Sequence, residues 1–337
     1  MIFDWLIPPD YDVNAEFLQC IDYFSGDASE LEPGIYDAYM LGITTQNNTL
    51  SINNIRKRLQ EKGSAYFKNF KVFDFGNLII LNKKDIPGFI NYFLKELKAY
   101  HEAKPLILLT DYQNWSLYHH LTPSGKYKKN ISIISSFIPD EISSSIEHFK
   151  IHIYILGIQN YLIKKEQYEK LQAYQNKIKL VRLSELNEII ESEPFLRNSV
   201  TTHFQYESLA FSEIGVSSQA NTIGFNAAQW AALAYYSGIS PINKSIVFDI
   251  PSIDKDRYGN VSEIISISIW HYLWGLYNKL PDYPFLAKDN LQKIILNKNG
   301  EKFVFYTNPV TGRWWKYKNE VLEPCSRNLL VRMRDEI

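Results

Sequence analysis

The sequence predicts an α/β fold, a three-layer arrangement in which a mostly parallel sheet is covered by helices on both faces. Short apolar runs of strand length alternate along the chain with stretches of helical periodicity, as expected of parallel strands joined by helical crossovers. After Leu291 the apolar period changes to two, so a C-terminal β-hairpin or small meander is expected. The chain then divides into an N-terminal arm (1–34), an α/β core (35–290) and a C-terminal β extension (291–337), within a single domain.

Each element has its own justification. The apolar run Ile35–Ile43 reads as the first core strand, and Ile55 and Leu59 share one face of a helix over Ile52–Glu61. Phe70–Gly76 is a second strand. Ile86, Ile90, Phe93, Leu94 and Leu97 align on a helix over Asp85–His101, with Asp85 placed to cap it. Pro105–Thr110, Ile131–Ile134 and Ile151–Gly157 follow as strands, then a polar helix over Lys165–Gln175 and a short strand at Lys179–Arg182. A helix over Leu183–Leu196, capped by Ser184, precedes a strand at Thr201–Leu209 and a loop holding Gly215, Ser217 and Ser218. An Ala-rich helix over Asn226–Ser237 stops at Gly238, Ser245–Asp249 is a strand, and Val261–Leu280 is a long apolar helix. Gln292–Leu296, Lys302–Tyr306 and Arg313–Tyr317 alternate like strands, with turns at Asn299-Gly300 and Thr311-Gly312.

Composition narrows the function classes. Of 337 residues, 45% are hydrophobic and 15% aromatic, which argues against disorder, and the net charge of −1 gives no basic stripe for nucleic acid. Arg56-Lys57-Arg58 reads as a solvated helix face and Lys126-Tyr-Lys-Lys129 as a loop. Two distant cysteines, Cys20 and Cys325, form neither a disulfide framework nor a zinc pattern, so a reducing, cytoplasmic setting is expected. The first ten residues do not read as a signal peptide, and no stretch is apolar for long enough to span a membrane.

Nucleotide and nucleophile motifs are missing. There is no Gly-x-Gly-x-x-Gly or Walker A, no Gly-x-Ser-x-Gly surrounds Ser135 and Ser136, and neither cysteine has an activating neighbour pattern. His119 and His120 are adjacent on an expected helix and diverge. His148 and His152 flank a strand start, and His271 reads as a core histidine with a satisfied hydrogen bond. His203, just before Gln205, reads as a strand residue on the alternate face. Trp270 and Trp274, one helical turn apart, read as core or interface, and Trp314-Trp315 as part of an exposed hairpin.

Several segments resemble one known family. Ile155-Leu-Gly-Ile-Gln-Asn-Tyr161, Ala220-Asn-Thr-Ile-Gly-Phe225 with the helix to Tyr235-Tyr-Ser-Gly238, Lys244-Ser-Ile-Val-Phe248 with Asp256-Arg-Tyr-Gly259, Ile269–Asn278 and Thr311-Gly-Arg-Trp-Trp315 look like segments of the ureohydrolases. That superfamily comprises arginase, agmatinase and formimidoylglutamase, and the likeness is to its bacterial formimidoylglutamase-like branch. The resemblance runs from about Tyr36 and is more specific in the second half. It implies an arginase-like fold, oligomerisation, and a site in which two manganese ions hold a hydroxide that attacks a guanidinium or formimidoyl carbon.

The same resemblance places the metal-binding positions on Asp111 and Gln113 after the third strand and on Ile134, Ser136 and Ile138 where the family has Asp-x-His-x-Asp. Gln205 and Glu207 stand where it has two aspartates, and Asp249 is adjacent to its substrate-side glutamate. Hard divalent ions need carboxylates, and isoleucine at two of these positions supplies none. The expected chain is therefore a catalytically inactive ureohydrolase-fold protein with a structural, regulatory or partner-binding role, carrying no cofactor. Its expected partners are copies of itself or another protein. A hydrolase of formimidoyl, amidine or amide C–N bonds with a rebuilt site is the alternative, and a small-molecule sensor is a third.

Overall fold

The computed structural model describes residues 6–9, 20–25, 34–45, 48–80, 92, 95–97, 100, 104–111, 130–140, 142, 151–186, 188–215, 222–298 and 300–335. The strands in chain order are β1 (Leu6–Ile7), β2 (Ile21–Tyr23), β3 (Ala38–Thr45), β4 (Val72–Ile80), β5 (Leu106–Thr110), β6 (Asn130–Ile134), β7 (His152–Ile158), β8 (Ile178–Arg182), β9 (Thr201–Phe204) and β10 (Ser245–Asp249). They form a ten-stranded sheet in the order β1-β4-β3-β5-β10-β9-β6-β7-β8, with β2 also on β4. Every pairing is parallel except that of β1 with β4. The parallel expectation holds, and β1 and β2 are additional short strands supplied by the N-terminal arm.

The central strands are buried on both sides, so they carry continuous apolar runs rather than alternation. One face holds Ile134, Phe204, Ile246 and Phe248 against α5 (Ala227–Gly238) and α6 (Asn260–Tyr277); the other holds Leu108, Ile133, Ile155 and Val247. Asn226 caps α5 by accepting from the Gln229 backbone N–H at 2.8 Å, one half of a capping box. The α5–α6 crossing depends on glycine: a Cβ on Gly238 would lie 2.3 Å from the Tyr272 carbonyl oxygen, and one on Gly275 2.5 Å from that of Tyr235.

Helix α1 (Thr49–Gln60) corrects one reading of charge. Lys57 follows the solvated-face expectation, but Arg58 is half-buried and donates to Glu263 on α6 at 3.1 Å, and Arg56 is 1% exposed. Its Nε and Nη2 donate to the two carboxylate oxygens of Asp74 on β4 at 2.7 and 2.9 Å, and Nη1 donates to Asn77 Oδ1 at 2.5 Å. A guanidinium is tolerated at this depth because its planar donors are met in a bidentate fork.

Other boundaries moved for local reasons. The helix expected over Leu183–Leu196 is broken into 3-10 turns at Leu183–Glu185 and Ile189–Ser192 and the short α3 (Glu193–Arg197). Pro194 can occupy only a first turn, and Ser184 lies inside the first 3-10 turn, whose N-cap is Arg182. The strand expected over Thr201–Leu209 ends at Phe204 and turns into a 3-10 segment at Tyr206–Ser208. The polar helix α2 (Lys165–Gln172) lies where expected, and a short α4 (Phe211–Ile214) ends at Gly215. Most of the helix expected over Asp85–His101, together with Gln113, His119, His120, the Lys126–Lys129 run, His148, Ser217 and Ser218, lies outside the described residues.

The C-terminal extension is larger than a hairpin. β11 (Gln292–Lys298), β12 (Glu301–Thr307), β13 (Trp314–Lys318) and β14 (Val321–Cys325) make a four-stranded antiparallel sheet, followed by α7 (Arg327–Asp335). It packs on the core of its own chain. The Arg197 guanidinium lies 4.4 Å from the Trp315 ring centroid and donates to the Trp314 carbonyl at 2.9 Å. Arg313 holds the junction from the other side, through Asp282 at 2.8 Å and Glu193 at 3.3 Å. Trp315 is 1% exposed, so the pair Trp314-Trp315 is not an exposed hairpin.

Candidate functional site

The C-terminal ends of β5, β10, β9 and β6 lie side by side, with Thr110 opposite Asp249, Phe248 opposite Phe204, and Phe204 opposite Ile134. In open parallel sheets this edge is where ligands bind, at the point where the strand order reverses. Here β6, β7 and β8 run outward from the centre, and β9 and β10 return to fill the gap beside β5.

Side-chain parity sorts the candidate residues. His203 is in register with Val247 and Ile133, whereas Ile134, Phe204 and Phe248 share the opposite, apolar face. Asp249 falls two residues after Val247, on the same side as His203. Their side chains meet: His203 Nε2 lies 2.7 Å from Asp249 Oδ1, and both side chains are 3% exposed. His203 therefore shares its face with a site carboxylate instead of turning away from the site. A histidine and an aspartate on neighbouring strands were both visible in sequence; their register was not.

Glu207 follows on the Tyr206–Ser208 turn, half-buried. Burial, and then the charge of Asp249, raise its carboxyl above the ordinary carboxylate range, against the opposing pull of Tyr206 and Lys255. The Tyr206 hydroxyl is itself raised by burial and by Glu207, and it accepts from Lys255 Nζ at 3.3 Å. Glu207 lines a cleft of about 360 Å³ together with Phe137, Ile138, Asp140, Lys164 and Gln167. Gln167 Nε2 donates to Asp140 Oδ1 at 2.7 Å and to the Ile138 carbonyl at 3.1 Å, which fixes that wall. Asp140, Lys164 with Gln167 at the start of α2, Tyr206 and Lys255 come from four segments and had no sequence signal.

Ser136 and Gln205 are held at the strand ends by their backbones. The Gln205 N–H donates to the Ile134 carbonyl at 3.1 Å, and the Ser136 carbonyl accepts from the Gln159 N–H at 2.9 Å. Their side chains are buried, and among the described residues neither Ser136 Oγ nor Gln205 Oε1 has a hydrogen-bond partner. Gly157 shapes the same edge: its φ of +99° suits glycine, and a Cβ there would lie 2.3 Å from the Phe225 ring.

The remaining positions are dispersed. Asp111 is half-buried and accepts from Asn48 Nδ2 at 2.6 Å, beside the start of α1. Ile134 is fully buried in the apolar core under α5 and α6, and Ile138 belongs to the opposite cluster and to the cleft wall. Among the described residues no three His, Cys, Asp or Glu side chains are grouped so as to hold a metal ion. Among the described residues the metal-capable side chains at these strand ends are His203, Asp249 and Glu207, with Ile134 and Ile138 at two of the other candidate positions. Chemically the arrangement offers a Glu207 carboxyl, raised by burial, on the wall of a cleft, and a buried imidazole bonded to the Asp249 carboxylate whose charge Glu207 feels.

Comparison of the whole structure with solved ones is unambiguous about architecture. A formimidoylglutamase from Bacillus subtilis superposes with a TM-score of 0.65 at 13% identity, covering 80% of this chain and 94% of that one. The fold is that of the ureohydrolases. A formiminoglutamase of Trypanosoma cruzi solved with Mn2+ gives a TM-score of 0.63 at 12% identity, over 75% of this chain and 96% of that one. The agmatine ureohydrolase of Thermoplasma volcanium gives 0.58 at 11%, over 73% and 92%. No family model matches the sequence, and no curated protein matches it. Among the described residues of this ureohydrolase fold, no helix is long and apolar enough to cross a membrane. His271 sits on α6 half-buried beside Trp270, its ring centroid 5.2 Å away, with burial lowering its pKa, so it is not the fully buried core residue expected.

Proposed function

We propose that this ureohydrolase-fold chain does not carry out metal-assisted hydrolysis, and that its strand-end cleft binds a small polar molecule in a regulatory or structural role. The supporting observation is the composition of the cleft. Ile138 stands on its wall beside Glu207, Ile134 lies in the apolar core, and the carboxylates that remain do not group into a metal-binding set among the described residues. The buried Ser136 Oγ and Gln205 Oε1 at the strand ends favour a ligand that hydrogen-bonds. Water attacks an amidine carbon slowly unless a metal pair lowers its pKa, and a lone general base adds only about 10²–10⁴-fold.

A hydrolase of a formimidoyl, amidine or amide C–N bond with a rebuilt site is the second reading. The raised Glu207 carboxyl beside the His203–Asp249 pair supports it. The test is release of urea or formamide from arginine, agmatine and formimidoylglutamate with manganese present. Turnover above about 1 s⁻¹, an ordinary enzymatic rate, would overturn the non-hydrolytic reading. Slower turnover abolished by Glu207→Ala would favour the rebuilt site.

A further inference from the structure

The two edges of the C-terminal sheet differ in kind. β14 is five residues long, carries Pro324, which has no N–H to offer a further strand, and runs beside α3. β11 has seven residues and no proline, and it pairs with β12 from Gln292 to Lys298 without a bulge. Among the described residues no strand lies along its outer edge. Alternate residues of such a strand turn their N–H and C=O groups away from the neighbour they pair with. A regular open edge of this kind is a template for another strand.

The middle of that edge is apolar. Ile294, Ile295 and Leu296 stand there, with Lys293 and Lys298 toward the ends. Ile295 is opposite Val304, which is opposite Tyr317, so it belongs to the face that holds Tyr306 and Trp315. It is nevertheless 46% exposed. A lone exposed aliphatic side chain is ordinary on a surface; here it coincides with an open backbone edge. Paired with its own copy, β11 has one favourable register. Antiparallel pairing about Ile295 sets Ile295 on Ile295 and Ile294 on Leu296, and each lysine meets a neutral amide, Lys293 on Asn297 and Lys298 on Gln292. A shift of one residue brings Lys293 against Lys298 in one direction and against Leu296 in the other. In-register parallel pairing aligns each lysine with its own copy. Apolar pairs across strands favour association, and like charges directly opposite disfavour it.

We infer that β11 is the surface through which two copies of this chain associate, edge to edge across a two-fold axis, so that their C-terminal sheets become one continuous sheet. Backbone hydrogen bonds supply the pairing, and the Ile295 contact on the axis fixes the register. Such an interface is isologous and closes on itself, so it joins two copies and no more. The inference is independent of the strand-end cleft, to which β11 contributes no lining residue.

The experiment is light scattering on the full chain as it leaves a gel-filtration column. The parent should have the mass of two chains at micromolar concentration. Ile295→Lys and Ile295→Glu each place like charges on the axis and should halve the mass, with the far-ultraviolet circular dichroism of the parent. An equimolar mixture of the two variants should regain the mass of two chains, because a lysine then faces a glutamate; unfolded variants could not do so. Val321→Lys, on the other edge strand and similarly exposed at 43%, should keep the parent's mass. A parent with the mass of one chain, a dimer that persists in both Ile295 variants, a mixture that stays monomeric, or loss of the dimer in Val321→Lys would each overturn the assignment.

Discussion

His203 Nε2 lies 2.7 Å from Asp249 Oδ1 at the C-terminal ends of β9 and β10, and both side chains are all but withdrawn from solvent. The pair joins β9 to β10 where their backbone pairing ends. Replacing His203 with Ala removes a buried hydrogen bond to a carboxyl and should cost about 2–3 kcal/mol. Urea denaturation measures it, and an unchanged midpoint would show that the contact carries no stability.

Glu207 makes stability depend on pH in a defined direction. Its carboxyl is raised in the folded state, chiefly by burial. Such a group holds its proton more tightly when folded, so its contribution is fully present below the unfolded carboxylate value and is lost as pH rises through the folded one. Glu207→Gln mimics the protonated form. It should match the parent in acid and exceed it at neutral pH, as read from denaturation midpoints across that range. A variant less stable at neutral pH than in acid, relative to the parent, contradicts this.

Arg56 and Asp74 have side chains with no solvent exposure. Arg56→Met strands a buried carboxylate and should cost about 3–5 kcal/mol, whereas replacing both with apolar residues of similar volume should recover most of that. Equal destabilisation by the single and double variants would show that packing, not charge, dominates.

Manganese content tests the metal question directly. Protein purified with added manganese and analysed for elemental composition should hold well below one equivalent. Near-stoichiometric metal that disappears in Asp111→Ala or Glu207→Ala would restore a centre at the strand ends.

Trp315 is the buried centre of the C-terminal sheet, packed with Leu291, Tyr306 and Leu322. Trp315→Ala should cost about 3–5 kcal/mol by cavity formation and expose the Arg197 guanidinium. A melting midpoint equal to the parent's would mean that this sheet is not coupled to the core.

The fold was largely legible because parallel strands covered on both faces must be apolar along their whole length, and runs such as Leu106–Thr110 and Ser245–Asp249 declare themselves. Arg56 was misread because helical spacing does not reveal that Asp74, from another segment, waits in the core. The site was legible as positions and illegible as geometry. Asp111, Ser136, Gln205 and Asp249 lie at or just past strand ends and Glu207 on the turn beyond β9, but strand order decides which of them meet, and it set His203 on Asp249 and Asp111 on Asn48. The walls of the strand-end cleft depend on residues with no local pattern, such as Gln167.

The contact between Arg197 and the carbonyl of Trp314 spans 117 positions. On the ribosome, Arg197 emerges long before the aromatic surface that will cover it, and a guanidinium without that cover stays in water. A chain cut before Trp314 would lack both the ring and the carbonyl that the Arg197 guanidinium meets.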